Sequence, residues 1–371
     1  MRIDAAFPGG NIIVERIEGD RVVIRQDLGE TEGGWFYWYL RVTGAAGREI
    51  EFTFPQGNII GTRGPAVSLD GGATWAWLGG GEGNPLSFRY AFPKDSVEAR
   101  FSFGMPYLES HLRAFLAGHA GNRSLEAGTL TRSRKGRPVE LLRLGKLDGG
   151  PRRRVLLAAR HHCCEMMASY AIEGIMETVV ADDDDGIWFR ERAEVMVVPF
   201  AGKDGVEDGD QGKNRRPRDH GRDYAGKSIY PETAALREMI PGWCGGRLDF
   251  AMDLHCPWIR GGYSEHAYFV GIDDAGDWGK LSRFSALLEE GRRGPVPYAA
   301  AGNLPFGKEW NTKENTVGGA TFHEWAAGLV GDGLACSLEL PYATAGGAEV
   351  NAETARAFGR DLARAIRLLL G

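Results

Sequence analysis

The feature that most constrains this chain is an apolar run, residues 155–159, that ends abruptly in potential metal ligands. The residues that follow it are Arg160, His161, His162, Cys163, Cys164 and Glu165. A short apolar run is typical of a buried strand in a parallel sheet, and ligands in such sheets collect at the carboxyl ends of the strands. His162 and Glu165 are three residues apart, so a helix that starts near them would place both on one face. We therefore expect chemistry at the end of this strand.

Spacing also distinguishes the two adjacent histidines. His162 has Glu165 three residues later, whereas His161 would pair with Cys164 and leave Glu165 unexplained. The chain has five cysteines, an odd number, and none of them forms a Cys-x-x-Cys pair. These residues therefore fit reduced, packed thiols better than disulfides or zinc ligands.

Two further apolar runs carry candidate residues, one at its end and one in its interior. His255 follows the run 248–254, and Glu339 lies inside the run 334–340. Together with His162 and Glu165, His255 would complete a set of two histidines and one carboxylate, which leaves a position for water on catalytic zinc. A carboxylate among apolar neighbours needs either a salt bridge or a function. The structural alternatives are a hydrogen-bonded core histidine and a salt-bridged glutamate.

The pattern of apolar residues changes near residue 106. Short β-prone runs from 10 to 105, separated by turn residues, predict an antiparallel β-sandwich, and the aromatic run 35–39 is expected to put alternate rings into its core rather than to bind carbohydrate. Beyond it, strands and helices alternate, which predicts a mixed, mostly parallel sheet covered by helices. The predicted α/β chain therefore has a β-sandwich domain at 1–106 and an α/β domain at 107–371.

Composition narrows the function classes. The 371 residues carry a formal net charge of −6, which argues against general nucleic-acid binding. The beginning of the chain lacks a signal-peptide core and no run reaches the length of a membrane span, so we expect a soluble, cytoplasmic protein without membrane contact. The oligomeric state stays open.

A long polar loop, residues 203–224, follows the predicted strand at 195–199. Loops of this length without secondary structure are uncommon unless they are functional. Its arginines can recognise a carboxylate through two parallel hydrogen bonds.

At this point the sequence resembles the funnelin zinc carboxypeptidases, in particular their cytosolic carboxypeptidase branch. The matching pieces are residues 159–165 with His-x-x-Glu, Asp204-Gly205-Val206, residues 219–224, Pro231-Glu232-Thr233, Asp253-Leu254-His255 and residues 338–342. The N-terminal region, with Trp35-Phe36-Tyr37 and Met105-Pro106-Tyr107, also looks like the extra β domain of that branch. The resemblance therefore extends over nearly the whole chain.

The resemblance implies a zinc carboxypeptidase that removes a C-terminal amino acid from a peptide or protein. It assigns one Zn²⁺ per chain to His162, Glu165 and His255, with Glu339 as general base. Arg215, or Arg216 in its place, would stabilise the oxyanion, and Arg222 would bind the terminal carboxylate. That branch is associated with acidic terminal residues, and the basic loop is compatible with such a preference.

Two departures from the family pattern concern the substrate. Gly221 stands where the family has an asparagine beside the carboxylate-binding arginine, and no tyrosine between Asn311 and Trp325 matches the family's mobile tyrosine. The alternatives are a zinc amide hydrolase or deacylase that acts on a small acidic molecule, and a catalytically silent member that binds peptides or glycans.

Overall fold

The computed structural model describes residues 1–80, 86–316 and 318–371. The strands of the N-terminal region are β1 (Arg2–Asp4), β2 (Ile13–Glu18), β3 (Arg21–Arg25), β4 (Tyr39–Thr43), β5 (Glu49–Thr53), β6 (Ala66–Ser68), β7 (Ala76–Trp77), β8 (Ser87–Ala91) and β9 (Glu98–Ser102). They form two sheets, in the orders β1-β4-β9-β6-β7 and β2-β3-β5-β8. Among the described strands the pairs are antiparallel, apart from the parallel pair β3–β5.

Aromatic side chains join the two sheets. The ring of Phe101 on β9 lies 5.6 Å from that of Phe52 on β5 and 5.4 Å from that of Phe88 on β8. The expected sandwich is therefore present. The aromatic run differs from the prediction, because its strand begins only at Tyr39 and the preceding residues 36–38 are all buried.

The second region contains β10 (Leu125–Arg132), β11 (Pro138–Gly145), β12 (Arg153–Ala159), β13 (Ala193–Val198), β14 (Phe250–His255), β15 (Tyr268–Val270), β16 (Leu334–Glu339), β17 (Thr344–Ala345) and β18 (Ala348–Glu349). Seven of these strands form one sheet in the order β10-β11-β13-β12-β14-β16-β15, and β17 pairs with β18. The central strands β13, β12, β14 and β16 are mutually parallel, and the outer ones are antiparallel to their neighbours. The predicted mixed sheet is confirmed.

The α-helices are α1 (Glu109–Gly118), α2 (Met166–Val180), α3 (Asp184–Arg192), α4 (Lys203–Asp208), α5 (Pro231–Trp243), α6 (Ala275–Gly291), α7 (Phe322–Val330) and α8 (Ala352–Leu370). They cover both faces of the sheet, as strand β12 shows. Its residues Val155 and Leu157 pack in the core on the side of α2 and α8, whereas Leu156 and Ala158 pack on the side of α5 and α7. Burial on both faces explains why this strand is apolar throughout.

Helices α2 and α8 touch through glycine. A Cβ atom at Gly174 on α2 would lie 2.0 Å from the backbone oxygen of Arg356, and one at Gly359 on α8 would lie 2.0 Å from that of Ala171. Only glycine permits this approach, which holds the C-terminal helix against the helix that follows the His-x-x-Glu turn.

Helices α3 and α7 and strand β10 were not predicted from the sequence. Strand β10 has mostly exposed residues, so it carries no apolar alternation. Helix α7 does have a start signal, because Thr321 and Glu324 form a capping box. The polar loop also contains more structure than expected, namely α4 and a short 3₁₀ helix at His220–Arg222.

The predicted division at residue 106 lies between β9 and α1. Apolar contacts cross it, since the ring of Tyr342, beyond β16, lies 5.5 Å from Phe36 and 5.2 Å from Phe103. Within the described ranges, no helix combines the length and the apolar character needed to span a membrane.

Candidate metal centre and substrate cleft

The site begins in the turn that follows β12. Arg160 adopts a left-handed backbone conformation with φ of 64°, and its buried Nη1 donates to the oxygen of Tyr107 at 2.8 Å and to Oγ of Ser169 at 3.1 Å. Buried hydrogen bonds of this kind offset the cost of that conformation. They fix the start of the turn that carries His161 and His162.

His162, Glu165 and His255 converge as the sequence predicts. Nδ1 of His162 lies 2.9 Å from Oε1 of Glu165, and Nδ1 of His255 lies 2.8 Å from Oε2. The candidate ligand atoms all lie within 4.8 Å of one another. The expected shared helical face is wrong, because α2 begins at Met166, Glu165 is only its N-cap residue, and His162 lies in the turn before it. Two imidazole nitrogens that face one carboxylate are a donor set that fits a metal ion such as zinc.

Each histidine of this triad has a second carboxylate behind it. Oδ1 of Asp219 lies 2.9 Å from Nε2 of His162, and Oδ2 of Asp253 lies 2.7 Å from Nε2 of His255. Such partners fix the ring so that Nδ1 faces the metal position. Burial lowers the pKa of His162, but Asp219 and Glu165 outweigh it and raise that pKa to about 9.

Asp253 also contacts His161, the other histidine of the turn. Oδ1 of Asp253 lies 2.9 Å from Nδ1 of His161, whose Nε2 lies 2.7 Å from the hydroxyl of Tyr224. His161, Asp253 and His255 thus form a second group with ligand spacing. Both oxygens of Asp253 are already engaged by imidazoles and the group is buried, so we assign it to support of His255.

Glu339 ends β16 directly opposite His255 on β14. Its side chain is buried, and its Oε2 has no hydrogen-bond partner among the described residues. Burial raises the pKa of this carboxyl to about 7, although Lys213 and His255 act in the opposite direction. A carboxylate with such a pKa and a free oxygen is suited to accept and return a proton near neutral pH.

The structure brings Lys213, which the sequence analysis missed, to the triad. Its Nζ lies 2.7 Å from Oε1 of Glu165 and donates to the backbone oxygen of Cys256 at 2.9 Å. The resemblance directed attention to arginines of the loop. Lys213 is a cation of the same loop, two residues before Arg215, so the sequence pointed to it as much as to the arginines.

The structure does not bring Arg215 and Arg216 to the triad. Arg215 forms an ion pair with Asp210 and lines a separate cavity of about 250 Å³. Arg216 pairs with Glu32 of the N-terminal region, and its side chain is 74% exposed. Carboxylates outside the cleft thus hold both guanidinium groups, and neither arginine is among the described residues that line the two cavities at the triad.

Arg222 does reach the cleft. Its Nη2 donates to the backbone oxygen of Asn315 at 3.0 Å, and its Nη1 is buried without a partner in the described structure. The neighbouring Gly221 leaves room for the histidine, because a Cβ there would lie 3.2 Å from Nε2 of His162 and 3.2 Å from Oδ1 of Asp219. A larger residue at this position would press on the hydrogen bond between His162 and Asp219.

Two cavities meet at the triad. The inner one, of about 120 Å³, has a wall that includes Val270, Ile272 and Phe306. The outer one, of about 630 Å³, is lined partly by Trp35 and Trp258, whose rings are 4.9 Å apart. The residues that line both cavities are His162, Arg222, Trp310 and Glu339. The N-terminal region thus contributes Trp35 to the cleft, whereas residues 36–39 of the aromatic run lie in the core, as expected.

Comparisons with known proteins agree with this geometry at the level of the fold. A metallo-carboxypeptidase from Burkholderia cenocepacia superimposes with a TM-score of 0.81 at 20% identity, over 100% of this chain and 98% of that one. A metallo-carboxypeptidase from Pseudomonas aeruginosa, in complex with (2-guanidinoethylmercapto)succinic acid, gives 0.74 at 22% identity, over 100% and 99%. The chain therefore has the metallo-carboxypeptidase fold, with a His-Glu-His triad where its strands end.

Sequence similarity to curated proteins is distant. An uncharacterized protein of Zymomonas mobilis is 27% identical over 268 residues, 69% of this chain and 67% of that protein. Cytosolic carboxypeptidase 2 of Xenopus tropicalis is 25% identical over 166 residues, 42% of this chain and 17% of its own length. No protein-family model matches the chain. The similarity to cytosolic carboxypeptidases thus covers part of this chain and a small part of theirs.

Proposed function

We propose that this protein is a zinc-dependent carboxypeptidase that hydrolyses the last peptide bond of a peptide. The observation that carries the proposal is a pair of buried, unpartnered polar atoms on the cleft wall beside the triad. Oε2 of Glu339 is an acceptor, and Nη1 of Arg222 is a donor. Native proteins seldom leave such atoms unpaired, so a substrate group and a water molecule are their expected partners.

Each residue has a stated task in this proposal. A zinc ion held by His162, Glu165 and His255 supplies Lewis-acid activation of the scissile carbonyl and of water. Glu339 takes a proton from the attacking water and passes it to the leaving amine. Lys213, instead of the expected Arg215, faces the oxygen that becomes negative. Arg222 binds the terminal carboxylate through its free nitrogen.

The cleft supports a peptide more than a small acidic molecule. The terminal residue would enter the inner cavity, and the outer cavity, of about 630 Å³, leaves room for the residues that precede it. The deacylase alternative needs no such second cavity.

We propose an uncharged terminal side chain. The acidic preference was expected from the basic loop, but Arg215, Arg216 and Arg218 are paired with Asp210, Glu32 and Asp223. Among the described residues that line the inner cavity, Arg222 is the one lysine or arginine, and the carboxylate of the substrate would occupy it. An apolar wall without a further cation favours an apolar terminal residue.

The test uses protein purified without chelator. We expect about one zinc per chain, and release of the last amino acid from peptides that end in leucine or phenylalanine faster than from peptides that end in glutamate. The variant Glu339→Gln should lose roughly 10²–10⁴-fold in kcat while it keeps its zinc. The matched control is Glu194→Gln, since Glu194 is buried at the start of β13, at the opposite end of the sheet, and binds Arg143. Metal-free wild-type protein, or full activity of Glu339→Gln, would refute the proposal.

A further inference from the structure

Tyr268, on β15, is completely buried, yet no described residue accepts a hydrogen bond from its hydroxyl. Other buried tyrosines in this protein use theirs. The hydroxyl of Tyr298 donates to Oδ1 of Asn303 at 2.9 Å, and that of Tyr170 donates to the backbone oxygen of Pro106 at 2.9 Å. An unpaired buried hydroxyl is unfavourable and needs a reason. The indole N–H of Trp310 donates toward this hydroxyl, but it cannot accept the hydroxyl proton, which therefore has no acceptor in the described structure.

The position of Tyr268 gives that reason. Tyr268 pairs with Glu339 in the register of β15 and β16, and it lines the outer cavity together with Glu339 and Lys213. Its ring packs edge-on against Tyr263 with centroids 5.4 Å apart, which limits its movement. The ring is therefore fixed in the wall of the cleft before any substrate arrives.

The two cavities indicate which part of a substrate Tyr268 meets. His162, Arg222 and Glu339 line both cavities and so flank the bond that is cleaved. Tyr268 lines only the outer cavity, so it faces the part of the peptide on the amino side of that bond. An extended peptide presents backbone carbonyl oxygens there, and these oxygens are strong acceptors.

We propose that the Tyr268 hydroxyl donates a hydrogen bond to the first peptide carbonyl upstream of the scissile one. This inference rests on the proposed carboxypeptidase function and adds a substrate-binding residue to it. The proton of the hydroxyl is available to the substrate because no described residue, Glu339 included, accepts it. Burial and the nearby charge of Glu339 raise the pKa of this phenol, which keeps its proton in place for donation.

The test compares Tyr268→Phe with the wild type on two substrates that share a terminal residue. In an N-acetyl dipeptide the acetyl carbonyl lies upstream of the scissile bond, whereas in an N-acetyl amino acid the acetyl carbonyl is itself the scissile group. We expect Tyr268→Phe to lose tenfold or more in kcat/KM on the first substrate and to be unchanged on the second. Calorimetry in a Glu339→Gln background should show a matching loss of affinity for the dipeptide alone.

Thermal unfolding separates this role from a structural one. Tyr268→Phe removes only the contact of the hydroxyl with the Trp310 indole, so its Tm should stay close to that of the wild type. The matched control Tyr298→Phe loses a buried bond, so its Tm should fall while both substrates are hydrolysed as before. Unchanged kcat/KM of Tyr268→Phe on the dipeptide, or equal losses on both substrates, would overturn the inference alone. A wild type that hydrolyses no peptide would overturn the proposed function and, with it, this inference.

Discussion

Asp253 provides the sharpest test of how the triad is built. It accepts hydrogen bonds from His255 at 2.7 Å and from His161 at 2.9 Å, one through each oxygen. The two imidazoles, which act as donors, hold the pKa of this buried carboxyl well below its usual range despite the opposing effect of burial. In the variant Asp253→Asn, one oxygen becomes an amide donor. One imidazole N–H then loses its acceptor.

The expected cost follows from this geometry. Loss of an outer carboxylate that orients a ligating histidine reduces metal affinity roughly 10–100-fold, which is about 1.4–2.7 kcal/mol. The metal-free protein should also lose roughly 1–3 kcal/mol of unfolding free energy, because a buried N–H is left unpaired. The loss of zinc affinity and the loss of stability both arise from one substitution that leaves the side-chain volume nearly unchanged.

The assay is competition for zinc against a chromogenic chelator, together with denaturant unfolding of the metal-free protein. The matched control is Asp277→Asn, because Asp277 is also buried and its Oδ2 lies 3.1 Å from Nε2 of a histidine, His323. That pair lies outside the triad, so the control should lose stability and keep its zinc affinity. Wild-type zinc affinity in Asp253→Asn would refute the orienting role, and equal losses in both variants would show general destabilisation instead.

Two further predictions concern the cations of the cleft. Lys213→Met should lower kcat about 10²–10³-fold with zinc content retained, whereas Arg215→Met, which breaks an ion pair with Asp210 outside the cleft, should lower Tm and leave kcat unchanged. Steady-state kinetics decides between them, and the reverse pattern would restore the expectation from sequence. Arg222→Gln removes the free guanidinium nitrogen and should raise KM roughly tenfold or more for peptides with a free carboxylate, as measured by initial rates. An unchanged KM would exclude Arg222 from carboxylate binding.

The metal position was predictable from the sequence because its determinants are local. Apolar runs predict buried strands, and parallel strands end at a common edge, so His162, Glu165 and His255 were expected to meet, and the family resemblance added Glu339. The parallel pairing of β12, β14 and β16 places them there. Only the detail of a shared helical face was wrong.

Tertiary structure alone decided which side chains of the long loop face the substrate. Arg215 and Arg216 are held by Asp210 and Glu32, and Lys213 reaches the triad instead. A loop has no periodicity that fixes the direction of its side chains, so partners from other segments determine it. The same holds for Trp35. Its local sequence pattern assigns it to the core, but it packs against Trp258 and lines the cleft.

The chain order of strands and ligands thus determined the fold and the metal position. Packing between segments far apart in sequence determined the rest of the cleft, including the position of the buried Tyr268 hydroxyl, whose proton no described residue accepts. Whether a polar atom has a partner depends on every segment around it, and no local pattern carries that information.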